Sequence, residues 1–301
     1  GFKAYRLGLT PADYALGREV PPGLPRPSPT PPPPPAPKAA VAPAPVTPAA
    51  VPVAATVTAS TAAAPASVAP GTGFQFNLND RVALIGNGLA DRMQHHGWLE
   101  TMIHARHPSH QISVRNLAVA GDEVVDRARS KDFGTPDDWL TKVQADVVFA
   151  FFGYNEAFAG PEGLPRFREI LARFIQETRK KSYNGLGAPR LVVFSPIAVE
   201  RHPDPNVDYK PELQANLAAY TRAMSEICRD QAGVTFVDLF TPSQELFAEA
   251  ARTSQPPLTI NGVHLNEAGE GRLAARIYPA LMGAAAPDLA TPEGQALRAA
   301  V

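Results

Sequence analysis

The sequence predicts a three-layer α/β/α sandwich on a five-stranded parallel sheet, and three observations predict it. Short apolar runs rich in β-branched or aromatic residues alternate with helical patterns, the connections are punctuated by polar, glycine-containing turns, and no internal repeat is present. Strict alternation of strand and helix calls for crossover connections, which cover both faces of a parallel sheet.

The strand candidates are Arg81–Ile85, Ile112–Leu117, Asp146–Phe152, Arg190–Phe194 and Val234–Leu239. Each is nearly continuous in apolar residues, as a strand buried on both faces should be. Helical patterns fill the intervals at Leu89–Arg106, Pro136–Val143, Leu164–Lys181 and Pro211–Gln231, the last with apolar positions Leu213, Leu217, Tyr220, Met224 and Ile227 on one face. A final helix runs over about Asn266–Met282. These elements place one folded domain at residues 74–283, followed by a C-terminal extension at 284–301 that is expected to lead toward further domains.

The N-terminal quarter differs. Residues 21–73 hold most of the 33 prolines, including Pro31–Pro35, among Ala, Val, Thr and Ser, and are expected to form an extended linker because proline fixes φ and removes donors. Residues 1–20 carry Phe2, Tyr5, Leu7, Leu9, Tyr14 and Leu16, too apolar for a linker and too few for a fold, and are expected to be a docking peptide or the remnant of an upstream segment. The start at Gly1 is read as processing or excision.

Composition narrows the partners. A formal charge of −1 in 301 residues leaves no nucleic-acid footprint. No apolar run reaches the ~18 residues of a membrane-spanning helix. The single Cys228 lies in a helical apolar rhythm and reads as a buried structural thiol.

In open parallel sheets ligands bind beyond the carboxyl ends of the strands. The first strand runs into Gly86-Asn87-Gly88, the second into Ala120-Gly121-Asp122-Glu123, the third into Gly153-Tyr154-Asn155-Glu156, and the final helix is preceded by Asn261-Gly262-Val263-His264. Any one of these turns alone is ordinary turn chemistry; four at one sheet edge are a site.

The order and spacing of these four blocks resemble the SGNH hydrolase superfamily, the GDSL-type esterases and lipases. The resemblance implies a flavodoxin-like sheet and an ester-hydrolysing ancestry. It implies that Gly88 stands where the family has its serine nucleophile, and Asn261 where it has the aspartate that orients the histidine. Gly88, Gly121 and Asn155 would be oxyanion or ligand donors, and His264 the base. The strings Gly86–Arg92, Gly153–Phe158 and Asn261–Glu267 further resemble a branch in which such a domain heads large bacterial proteins with c-type haem-binding domains, although no Cys-x-x-Cys-His motif occurs here.

Serine acyl transfer needs an oxygen nucleophile, a base and oxyanion donors. Gly88 supplies no oxygen, and Asn261 holds an imidazole without a charge to stabilise the imidazolium. The first expectation is therefore a degenerate triad that binds an acylated or carbohydrate-like ligand with weak or no hydrolysis. The second is an esterase or deacetylase working through His264 and a water or carboxylate, with Glu123 and Glu156 as secondary candidates beside Asn87. The commoner fate of such carboxylates is a structural ion pair, here to Arg92 or Arg127. The third is a non-catalytic assembly module docked through residues 1–20.

Ser195 reads as a turn residue before Pro196. His95, His96, His104, His107 and His110 crowd one region, and on a continuous helix His96 and His104 would share a face, but with no carboxylate-anchored or Cys-His pattern they read as surface histidines near a helix end; no metal and no cofactor is expected. Trp139 and Tyr154 are candidates to stack on a sugar face. The tether and the family branch point to an extracytoplasmic location.

Overall fold

The computed structural model describes residues 73–127 and 133–301; the expected docking peptide, nearly all of the linker and residues 128–132 lie outside the described residues. The sheet has five parallel strands: β1 (Arg81–Gly86), β2 (Ser113–Asn116), β3 (Val147–Phe151), β4 (Arg190–Phe194) and β5 (Val234–Val237), in the order β2-β1-β3-β4-β5. All five expected strands are present within a residue or two of their predicted ends. Every residue of β3 is buried, which explains its unbroken apolar run. Phe149, Phe151 and Phe194 meet across β3 and β4, the last two stacked with centroids 4.3 Å apart.

Around the sheet lie α1 (Gly88–Arg92), α2 (Trp98–Arg106), α3 (Pro136–Lys142), α4 (Gly160–Thr178), α5 (Pro211–Arg229), α6 (Phe240–Arg252), α7 (Glu267–Met282) and α8 (Pro292–Ala300). α4 packs on α5, while α7 packs on α2 and α6. α4 and α5 bury one stripe each, Phe167, Leu171 and Ile175 facing Leu217, Tyr220 and Met224 in the same core. Cys228 is buried among them, and burial pushes its thiol up to about 12, so it is inert as a nucleophile.

Two expectations on helices need correction. The helix predicted over Leu89–Arg106 is broken into α1, a 3-10 turn at Met93–His95 and α2, because Gly97 sits at φ 61, outside the helical region. His96 therefore precedes α2 and does not share a face with His104. The segments 240–252 and 292–300 are helical where none was predicted. α8 packs back on α2, with Arg298 3.8 Å above the Trp98 ring and ion-paired to Glu267, so residues 284–301 fold onto the domain.

At the amino ends of the strands the connections are tied by charge. Asp146 accepts from Arg81 N, Nε and Nη2 and from Asn184 Nδ2 at 2.7–3.2 Å, and Arg190 pairs with Asp80. The carboxyl ends are built differently.

Candidate active site

Strand order 2-1-3 makes the chain leave β1 toward one side and return through β3 on the other, opening a crevice between the two carboxyl ends. Gly86 ends β1 at φ 124, and a Cβ there would lie 2.0 Å from Phe151 O, so only glycine allows the two strands to stay this close. Asn87 N donates to Phe151 O, while Val119 N donates to Gly86 O, which docks the second turn on the first.

Gly88 opens α1. As first residue of the helix its N–H has no acceptor within the helix and points beyond its positive end. Asn87, expected among the secondary ligand-binding candidates, is buried, and its Oδ1 accepts Leu89 N at 3.2 Å. Its side chain caps the helix that presents Gly88.

The final turn brings His264 over this helix start. A Cβ added to Gly88 would meet His264 Nε2 at 3.5 Å and Ala120 Cβ at 3.8 Å, ordinary contact distances. Asn261 Oδ1 accepts the N–H groups of Val263 and His264 and lies 3.0 Å from His264 Nδ1. With backbone donors fixing the amide oxygen toward them, the ring can only donate from Nδ1, which leaves the Nε2 lone pair facing Gly88. Burial, and then the charge of Arg92, holds His264 below the usual histidine range, so the neutral form is favoured.

The second and third turns meet through Asn155, whose Nδ2 donates to Asp122 O at 2.9 Å. An amide has two N–H hydrogens, so one remains for a ligand. Gly121 is exposed at φ 94, and a Cβ added there would meet nothing within 4 Å.

Glu156 corrects an expectation. Its buried carboxyl accepts Val124 N at 2.9 Å and Gly153 N at 2.8 Å, so backbone groups hold it where an ion pair to Arg92 or Arg127 was considered. Burial raises its affinity for a proton, and its two backbone hydrogen bonds make it a clamp between the second and third turns. Glu123 is half-exposed on the same turn, its carbonyl accepting from Arg127 Nε.

Ser195 is buried and receives the N–H groups of Leu239 and Phe240, joining β4 to the start of α6. Of the aromatics, Trp139 donates Nε1 to Phe133 O, and half-buried Tyr154 meets exposed Phe158 edge-on at 5.5 Å.

Sequence reasoning missed Glu200. This buried carboxylate accepts Leu258 N and Thr259 N and receives the Thr259 hydroxyl, while Glu200 N donates to Gly262 O. It fastens the histidine turn to the segment after β4. Nothing in the spacing of Ala198-Val199-Glu200 signals a partner nearly sixty residues away.

A model of the GDSL-like lipase/acylhydrolase family matches residues 85–272. The chain belongs to that family. No curated protein matches it. Among solved structures it is similar to a catalytic mutant of an acetylxylan esterase from Geobacillus stearothermophilus, at 16% identity and TM-score 0.51 over 68% of this chain and 95% of the other. A second acetyl xylan esterase aligns at 18% identity and TM-score 0.50 over 67% of this chain and all of the other. A GDSL-like lipase from Parabacteroides merdae ATCC 43184 aligns at 12% identity and TM-score 0.52, covering 70% and 99%. At these identities the likeness establishes the fold shared within the family. Among the described residues no helix is long and apolar enough to cross a membrane.

Proposed function

We propose that the chain binds an acyl ester, such as an acetylated carbohydrate, in the inherited GDSL-family site, with hydrolysis weak or absent because no side chain supplies the nucleophile. The observation that carries this reading is the 3.5 Å between His264 Nε2 and the position a Gly88 Cβ would take. The base stands where a nucleophile would need it, and the nucleophile is a glycine.

In this reading the ester carbonyl oxygen accepts from Gly88 N–H, Gly121 N–H and the second Asn155 hydrogen, donors aimed where negative charge develops. Asn261 keeps Nε2 unprotonated but offers no charge to an imidazolium, which weakens the base in the same direction as the loss of the serine. The acetylxylan esterases among the similar folds suggest an acetylated sugar as the first ligand to try, and Tyr154 with Phe158 offers a face on which a sugar ring can stack.

A second reading, slow hydrolysis by a water that His264 deprotonates, is favoured by the neutral ring and its free lone pair. Calorimetric titration with acetylated xylo-oligosaccharides, beside an assay of acetate release, separates the two. Binding that weakens in Asn155→Ala, with acetate release at background, supports the ligand-binding reading. Turnover that His264→Ala abolishes replaces it with the esterase reading, and absence of both binding and turnover removes both in favour of an assembly module docked through residues 1–20. An extracytoplasmic location and a linker over residues 21–73 belong to the same proposal.

A further inference from the structure

Behind His264 the structure encloses a space of about 10 Å³ lined by the ring, Arg92 and Glu270 and closed by the apolar side chains of Leu89, Met93 and Leu265. Two buried polar atoms on its lining side chains carry no hydrogen bond among the described residues: Arg92 Nε, which can only donate, and Glu270 Oε1, an acceptor. Neither side chain is loose. Glu270 is 5% exposed and its carboxyl accepts the Trp98 N–H, while Arg92 Nη2 donates to Leu265 O at 3.3 Å.

Buried unpaired groups are rare in folded proteins, and a complementary donor and acceptor on two side chains that line one space suggest a shared partner. The space is near the smallest that holds a single water, and a water can accept from Nε and donate to Oε1 at once. We propose that one buried water joins Arg92 Nε to Glu270 Oε1 and so pins the guanidinium beside His264, making Arg92 and Glu270 positioning residues that govern the ring's proton affinity.

The surrounding charges support this assignment. His264 faces Arg92 from α1 and the neutral Asn261 from its own turn. Glu270 faces Arg92, Arg298 from α8 and Glu267 from its own helix; Glu267 is in turn paired with Arg298 and close to His96. Arg92 is thus the cation that acts on the ring, and Glu270, through the water, adds a second hold on it beside Leu265 O. The consequence is an imidazole held neutral without a carboxylate on Nδ1.

The test is a titration of His264 in the full chain labelled with 15N-histidine, its signals identified by their loss in His264→Gln. Arg92→Met and Glu270→Met are each expected to raise the proton affinity of His264 by about threefold or more. Glu270→Gln retains an acceptor oxygen and is expected to match the native chain. An unmoved midpoint in Arg92→Met, or a Glu270→Gln shift as large as that of Glu270→Met, overturns the proposal. Should Glu270→Met fail to fold, a crystal structure of the native chain decides. A water within hydrogen-bond distance of both atoms supports the bridge, and a dry space or direct contact between the two side chains rules it out. None of these readouts needs an ester to bind, so the proposal stands or falls separately from the proposed function.

Discussion

The two ends of the sheet solve the same problem with different chemistry. At the amino ends, Asp146 with Arg81 and Asn184, and Asp80 with Arg190, satisfy one another chiefly through side chains, most of them charged, on the connections themselves. At the carboxyl ends the carboxylates of Glu156 and Glu200 satisfy backbone N–H groups, and the outward-facing positions are left to Gly88, Gly121, Asn155 and His264. Side-chain pairing closes an edge. Backbone clamping holds turns in place while leaving donors free for something else, which is what a binding edge requires.

On that contrast, the clamps should matter most. Glu156→Ala strands two buried N–H groups, of Val124 and Gly153, and is expected to destabilise by about 3 kcal/mol in urea unfolding, with ligand affinity lost as the second and third turns separate. The next effect is on pH dependence. Burial pushes Glu270 up to about 7, against the opposing charges of Arg92 and Arg298, so the folded state holds its proton more tightly than the unfolded chain does. Its contribution is complete below the ordinary glutamate range and is lost as pH rises toward 7, by about 1–3 kcal/mol, a slope that Glu270→Gln should flatten.

The amino edge should show the opposite sign. Burial raises Asp146, but hydrogen bonds from Arg81 and Asn184 and the Arg81 charge outweigh it and leave its carboxyl below the usual range. Its contribution is present above the ordinary aspartate range and is lost as pH falls through its depressed value. Asp146→Asn should remove that acid-side loss at a cost of about 1–2 kcal/mol at neutral pH, with ligand affinity unchanged. Unfolding curves across pH for the native chain and both variants check the pair. Equal slopes for the two edges would dissolve the contrast.

The sheet was legible because its strands are buried on both faces and announce themselves as apolar runs, and because glycines mark the turns after β1, β2 and β3. Gly97 was not, since a glycine inside an apolar rhythm reads as a tolerated helical residue until its positive φ is seen. α6 escaped because Pro242 and Ser243 interrupt the pattern at its start, although Leu246, Phe247 and Ala250 bury a face. In the site, the family resemblance pointed to Gly88, Asn261 and His264, which the fold brings together. Asn87, Glu156, Glu200 and Glu270 could not be read correctly, because each is defined by a backbone group or cavity that local sequence does not reveal.

The central claim is that this edge keeps the geometry of an ester-cleaving site and lacks its nucleophilic oxygen. Gly88 has no Cβ obstacle and no positive φ, so Gly88→Ser, with Asn261→Asp to restore a carboxylate behind His264, should fold without strain. Hydrolysis of p-nitrophenyl acetate by that double variant is the direct measurement. A rate about 10²-fold or more above the native chain, abolished again by His264→Ala, is the predicted result. A folded double variant no faster than the native chain would contradict it.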